Sequence, residues 1–431
     1  MLSKTAWIVR RLTRQLWFRA SIFAALGVAT ALVAIFAQRY FDWTPPREIG
    51  ADTVESILDI LASSMLAVTT FSLNIMVSAY SSATSNVTPR ATPLLREDKT
   101  TQNALGVFLG AFLFSLVGIV ALGTGLYGDR GRLVLFIVTL GVIGLIVATI
   151  LRWIDHLSGL GRVGETARLV EDATRDPLMT RAADPTLGAR AFDLEAVPAD
   201  AGKILCEVVG YVQHIDLDTL SNIAEAHALT VWIVAPPGAF VFSQTPLAYA
   251  RADSGDVPDD DTRRAVARAF FIADQRTFDQ DPRFGIIVLT EIASRALSPA
   301  VNDPGTAIGV IGRSARLLLG YANAPRDRTN DAAYPRLRIA PIDAGDLLSD
   351  AFAPIARDGA SIVEVQIRLQ KALAAIAQSR DPSFRAAACS EAQRALAHAE
   401  SALVLDKDKE TIRQLCKATL EGARRYSAAC T

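Results

Sequence analysis

Two groups of residues in this chain are placed to do chemistry. The first lies inside an apolar stretch: Asp59, Ser63, Thr70, Asn74 and Ser78. On a helix turning by about 100° per residue, with Asp59 at zero, the other four fall near 40°, 20°, 60° and 100°. Ile60 and Val77 interrupt the row, and Leu61, Met65, Val68, Phe71, Ile75 and Met76 occupy most of the remaining surface. Polar side chains are costly in hydrocarbon, so this face must meet protein or water. Two readings stay open. Either the hydroxyls bond to neighbouring helices in a tight bundle, or copies of the helix surround a water-filled path with Asp59 as an outer acidic ring that favours cations.

The second group is the run Ala296-Leu297-Ser298-Pro299-Ala300-Val301-Asn302-Asp303-Pro304-Gly305-Thr306-Ala307, with Glu291 and Arg295 just before it. It joins two apolar helical patterns. One reading is a buried helix–helix turn with Asp303 as the cap of the second helix. The other has Asn302, Asp303 and Arg295 line a ligand or inter-subunit site, in a motif that also holds Ser298, Pro299 and Pro304.

Other chemistry finds little support. Cys206, Cys389, Cys416 and Cys430 are widely spaced without a Cys-x-x-Cys pair, and His156, His214, His227 and His398 include no two at metal-ligand spacing. The acids between Asp253 and Asp261 lack the calcium-loop pattern. There is no Gly-x-Ser-x-Gly elbow, and Gly125 to Ser158 holds no phosphate-binding loop. The expectation is no enzyme, no cofactor and no metal. A net charge of −1 gives no reason to expect nucleic acid as a partner.

The elements that must position these residues follow from hydropathy. Of 431 residues, 51% are hydrophobic and 21% charged, and the mean hydropathy of +0.26 fits an average of a membrane part and a water-soluble part. Four apolar runs, Ala20–Ala37, Ile57–Tyr80, Ala104–Tyr127 and Leu133–Trp153, each have about the length that crosses a bilayer. The first is followed by further spans and does not read as a cleaved signal. Lys4, Arg10, Arg11, Arg14 and Arg19 precede the first run. Arg90, Arg96 and Lys99 follow the second, and Arg152, Arg162 and Arg168 follow the fourth. That bias places the N-terminus and everything after Trp153 in the cytoplasm of a bacterial inner membrane. Trp7, Trp17, Trp43 and Trp153 stand near span ends. Gly106 and Gly110 in the third run, and Gly141 and Gly144 in the fourth, permit close helix approach.

Beyond the spans the pattern changes. Residues 161–200 read as a linker that opens with a charged amphipathic helix. Residues 201–255 read as a small β-rich module, with strands over 204–213 and 229–235. Its Pro236-Pro237-Gly238 turn and Thr245-Pro246-Leu247 strand resemble barrel-sandwich modules of the biotinyl and lipoyl kind, without a lysine in the turn for a swinging arm. Residues 256–431 read as helical, punctuated by Asp281-Pro282, Asp303-Pro304 and Asp381-Pro382, where Asp caps the first free N–H groups and proline suits the first helical position. Residues 320–350 read as a connector.

The run Ser64-Met65-Leu66-Ala67-Val68-Thr69-Thr70-Phe71-Ser72-Leu73, the following Thr88-Pro89-Arg90 and the Ser298–Pro304 motif together resemble the domain-of-unknown-function 2254 family of bacterial predicted membrane proteins. The resemblance covers most of the chain. It implies a multi-pass membrane protein with a cytoplasmic domain and carries over no catalytic or binding residue. The expected fold is therefore an α-helical membrane protein with four transmembrane helices over 1–160 and a cytoplasmic α+β region, a small barrel-like β module followed by a helical domain. Its expected partners are the lipid bilayer, further copies of itself in a homo-oligomer, and a cytoplasmic protein for the tail.

Overall fold

The computed structural model describes residues 13, 15–37, 51–127, 129–193, 196–325 and 332–429. The charged N-terminal residues Lys4, Arg10, Arg11 and Arg14, the loop bearing Arg39 and Arg47, and Trp7, Trp43 and Cys430 lie outside them. The chain is mostly helical and divides into two compact units. The smaller holds the first helices as far as Ser85 and then Pro89–Thr166. The larger holds Asn86–Thr88 and the chain from Ala167 onward.

The smaller unit consists of α1 (Leu16–Ala37), α2 (Ala51–Asn86), the short α3 (Thr92–Arg96), α4 (Lys99–Gly123) and α5 (Asp129–Gly159). Three of these are long and apolar enough to cross a membrane, over Asp52–Asn86, Lys99–Gly123 and Arg130–Gly159. The first apolar run forms α1, but its apolar part, Trp17–Val33, is shorter. Among the described residues, three helices meet the requirement of about 20 residues by length and composition.

Glycine sets the closest approach within this unit. A Cβ on Gly27 of α1 would collide with the Gly110 carbonyl. One on Gly110 would stand 2.7 Å from the Phe23 carbonyl, and one on Gly106 would meet the Phe23 ring at 2.5 Å. Gly106 and Gly110 thus sit in the α1–α4 contact, where backbones touch because no side chain intervenes. Gly141 and Gly144 meet nothing within 4 Å and lie on an exposed side of α5, so they take no part in helix packing among the described residues. The interior holds Leu58, Phe108, Phe114 and Leu135, fully buried. Buried Tyr127 donates its hydroxyl to the Ala31 carbonyl at 2.6 Å, satisfying a polar group that hydrocarbon could not.

In the larger unit, α6 (Val163–Ala183) occupies much of the stretch expected to be a linker. The β region is two open sheets and not a small closed barrel. One has the order β1-β8-β4-β6-β2 and the other β5-β3-β7. Their strands are β1 (Ala189–Ala191), β2 (Gly202–Leu205), β3 (Gly210–Ile215), β4 (Leu229–Ile233), β5 (Phe240–Val241), β6 (Pro246–Ala252), β7 (Phe270–Ala273) and β8 (Tyr334–Ile339). The single strand expected over 204–213 splits into β2 and β3, which join different sheets. β8 comes from within the expected connector and runs parallel to both β1 and β4. Leu337 and Ile339 point inward from it, alternating with Arg336 and Arg338, so an amphipathic edge of the pattern becomes an interior strand once its partners fold beside it.

The helices of this unit are α7 (Leu217–Ala226), α8 (Asp260–Ala267), α9 (Pro282–Ala296), α10 (Pro304–Asn323), α11 (Ala344–Asp358), α12 (Val363–Ile376), α13 (Pro382–Ala402) and α14 (Asp406–Ala429). Three of their starts follow the Asp-Pro signals. Asp281, Asp303 and Asp381 accept backbone N–H bonds from Phe284, Thr306 and Ser383, each with proline just after. Buried Asp281 also takes a two-pronged bond from Arg276 at 2.6 and 3.0 Å. Its carboxylate fills the space beside Gly238 (φ +95°) that a Cβ would need, which ties the Pro236-Pro237-Gly238 turn to the start of α9.

The glycine contacts generate a paired prediction. Gly110→Leu forces α1 and α4 apart and destabilises the detergent-solubilised chain by about 2 kcal/mol or more, whereas Gly141→Leu leaves its thermal midpoint nearly unchanged. Equal midpoints for the two variants would contradict the packing described.

Candidate functional site

The structure places Asp59, Ser63, Thr70, Asn74 and Ser78 together on one exposed face of α2. The side chains that α2 buries are Val54, Leu58, Leu61, Ala62, Met65, Ser72, Met76, Ala79 and Ala83. On the same wheel these centre near 240°, roughly 190° from the polar row. The row therefore points away from the described helices of the smaller unit, none of which covers it.

Its members differ in how far they are satisfied. Ser63 bonds the Asp59 carbonyl at 2.9 Å and Thr70 bonds the Leu66 carbonyl at 3.0 Å. Off the row, Thr69 does the same to Met65 at 2.7 Å. Such back-bonding spends the hydroxyl donor inside the helix. The Asp59 carboxylate and the Asn74 amide have no comparable outlet, and neither finds a side-chain partner among the described residues. These two groups carry the cost of the exposed face.

The Ser298–Pro304 motif is a surface loop, not a buried turn. Pro299, Val301, Asn302 and Asp303 are exposed, as is Arg295. Its shape is fixed from within. The Asp303 amide returns to the Ala296 carbonyl at 2.8 Å, the Asn302 amide donates to Ser298, and Asn302 takes a left-handed backbone (φ +49°). Asp303 accepts from the Thr306 amide at 3.0 Å and its hydroxyl at 2.6 Å. Those two bonds hold its carboxyl below the usual carboxylate range. The motif's geometry is that of a capped loop; among the described residues no hydrogen bond or ion pair joins the Arg295 side chain to Asn302 or Asp303. Glu291, one turn before Arg295, accepts from Thr88 at 2.9 Å within the larger unit, joining two of the segments that sequence reading singled out.

Two constellations have no local signal in the sequence. In the smaller unit, Asp98 caps α4, accepting from the Thr101 amide and hydroxyl at 2.7 and 2.6 Å. Its carboxylate also lies 2.8 Å from His156 Nε2. The His156 ring stacks on Trp153, whose indole N–H donates to Ser72 at 3.1 Å. Burial would raise the Asp98 pKa, but the bonds from His156 and Thr101 prevail and hold it at about 2. In the larger unit, Glu171 is buried among arginines from α6 and α10. Both sets join residues far apart in sequence, so only the tertiary fold reveals them. An apolar recess lined by Phe23, Gly27, Thr30, Val107, Gly110 and Leu145 holds the Thr30 hydroxyl, which is donated to the Leu26 carbonyl at 2.8 Å. Among the described residues no group of three or more His, Cys, Asp and Glu side chains converges as a metal site does.

The sequence profile of a family described as "predicted membrane protein" of domain of unknown function 2254 matches residues 13–375. The chain belongs to that family. Among its relatives are proteins from Mycobacterium tuberculosis (strain H37Rv) and Mycobacterium bovis, each bearing the name "uncharacterized protein". Each is 26% identical over 408 residues, covering 90% of this chain and 76% of the relative. No solved structure matches the chain. Membership in this family accords with the apolar helices of the smaller unit.

The Asp98 cluster predicts an acid-sensitive step. A carboxylate whose folded pKa is depressed contributes stability that is complete above its unfolded value, near 3.8, and is lost as pH falls toward about 2. With the partial exposure of the site, the contribution is about 1–2 kcal/mol. Comparing acid unfolding of the full chain with Asp98→Asn checks it. The variant starts less stable and loses less between about pH 4 and 2; parallel curves would refute the assignment.

Proposed function

We propose that this chain is a multi-pass inner-membrane protein that assembles as a homo-oligomer and conducts ions or small solutes passively, with residues 57–80 of α2 lining the path. In this reading α1 completes a set of four spans, and the N-terminus and the larger unit are cytoplasmic, in line with the arginine bias around the spans. The observation that carries the proposal is the outward position of Asp59 and Asn74 on α2, opposite the face packed against the chain's own helices. Neither group is tolerated against acyl chains, and no described helix of the smaller unit covers them. Copies arranged about an axis cover the apolar flanks Phe71 and Ile60 while leaving the polar row on water. Asp59 then forms a ring of carboxylates near the outer end and gives the path a preference for cations.

Flux from liposomes reconstituted with the full chain tests this. We expect cation-selective flux in the wild type, reduced several-fold in preference by Asp59→Asn. A protein that stays silent across a range of voltage and membrane tension, or flux indifferent to Asp59, would overturn the proposal.

A second reading, a membrane-anchored scaffold, draws on a different observation. Val404 is 95% exposed and Leu405 stands beside it at the turn between α13 and α14. Exposed apolar side chains on a water-facing turn suit a protein partner. Under this reading a stoichiometric partner co-purifies with the wild type and is lost with Val404→Asp; purification without one counts against it.

A further inference from the structure

The outer face of the β1-β8-β4-β6-β2 sheet carries a row of cationic and aromatic side chains that crosses all of its strands. Register places Arg190 of β1 beside Arg338 of β8, Arg338 beside Trp232 of β4, Trp232 beside Tyr249 of β6, and Tyr249 beside Lys203 of β2. Successive side chains point to opposite faces of a sheet, so register partners share one. The opposite face is core, where Ile204, Val231, Ala250 and Leu337 pack with Leu220 of α7 and Val266 of α8. Arg190 and Lys203 are exposed at the two edges, and Arg338, Trp232 and Tyr249 are half-buried between them.

The cations of this row differ from the arginines one step along the same strands. Arg336 holds Asp253 through two bonds, at 3.1 and 2.9 Å, and Arg251 lies 3.0 Å from Asp200. Among the described residues no ion pair joins Arg190, Arg338 or Lys203 to a carboxylate. Arg338 donates to the carbonyls of Pro335 and Leu337, at 2.7 and 3.1 Å. Burial and the neighbouring Arg190 hold its guanidinium below the usual arginine range. The chain's net charge of −1 averages this local excess away.

Two rings with cations on both sides fit an anion that also carries flat rings. Nucleobases stack on Trp and Tyr, and phosphates pair with Arg and Lys. The row crosses four inter-strand gaps, about 19 Å at about 4.8 Å each. One phosphate cannot serve both ends of it, so a mononucleotide leaves one edge unused. A duplex keeps its bases in its own stack, away from the rings. Entry into an anionic bilayer requires apolar groups that reach the acyl boundary, whereas Trp232 and Tyr249 are half-buried in the sheet.

We propose that the face bearing Arg190, Arg338, Trp232, Tyr249 and Lys203 binds a single strand of nucleic acid, with bases stacked on the two rings and phosphates on the three cations. The face belongs to the larger unit, and the proposal is independent of any path along α2.

The test titrates the full chain, in a neutral detergent, into a fluorescently labelled oligothymidylate of about ten nucleotides and follows anisotropy. We expect binding that weakens with salt, log affinity falling on log salt with a slope of about −2 for three phosphates at about 0.7 each. Arg190→Ala and Lys203→Ala, at exposed positions, leave the thermal midpoint nearly unchanged and each bring the slope about 0.7 closer to zero. Trp232→Ala and Tyr249→Ala each lower the affinity about tenfold, the loss of one stacked base, and Trp232→Phe, which keeps a ring, recovers most of it. Unlabelled duplex and phosphatidylserine in mixed micelles displace the probe far less well than unlabelled single strand. No binding, affinity undiminished in the Arg190→Ala/Lys203→Ala double variant, no difference between Trp232→Ala and Trp232→Phe, or equal displacement by duplex or phosphatidylserine would overturn the proposal. Ion flux does not enter the measurement, so its presence or absence bears on the other reading alone.

Discussion

Hydrocarbon offers no hydrogen bonds, and that constraint organises the smaller unit from its backbone outward. Its helices satisfy their own amides, and most of their side-chain donors follow suit. Thr69, Thr70 and Thr139 return their hydroxyls to carbonyls four residues earlier, and Tyr127 reaches the Ala31 carbonyl. Close packing then has to come from shape. Gly27, Gly106 and Gly110 let α1 and α4 meet backbone to backbone, while larger residues such as Phe108 and Phe114 fill the space on either side.

Water organises the larger unit by another route. Six of its helices start where an aspartate answers a free amide of the first turn, and one of these aspartates takes on tertiary duties as well. Asp281 caps α9, binds Arg276 and occupies the hollow beside Gly238. Arg283, one residue into α9, reaches Asp350 on α11 at 2.6 Å. The polar contacts thereby fix which helix lies beside which, and the apolar faces of α9, α11 and α12 supply the bulk of the burial.

What could be read in advance divides along the same line. Features set by neighbours in sequence were legible: the long apolar runs, the Asp-Pro helix starts at 281, 303 and 381, and the common face of Asp59, Ser63, Thr70, Asn74 and Ser78 on α2. Features that need a distant partner were not. β8 hides in a stretch marked by Pro335, Arg336 and Arg338, and only β1 and β4 on either side make it a strand. Gly141 and Gly144 have the spacing of a packing motif, yet spacing cannot say whether another helix arrives. His156 meets Asp98 across 58 positions, and Glu171 meets Arg313 across 142. The Ser298–Pro304 loop was visible as a signature, but its exposure depends on how α9 and α10 pack around it.

The polar row on α2 shows why composition alone misjudges a membrane helix. Serine and threonine are weak evidence for a wet or protein-covered face, because back-bonding lets them sit against lipid at little cost. Three of the five residues in the row are of that kind. The weight falls on Asp59 and Asn74, a carboxylate and an amide with no side-chain partner among the described residues. They lie four turns apart on one side, at opposite ends of the stretch from 57 to 80, and the buried face of the same helix is already occupied by its own chain. A helix that is committed on one side and polar on the other is a boundary between two environments, and in a bilayer the second environment has to be made by something other than acyl chains.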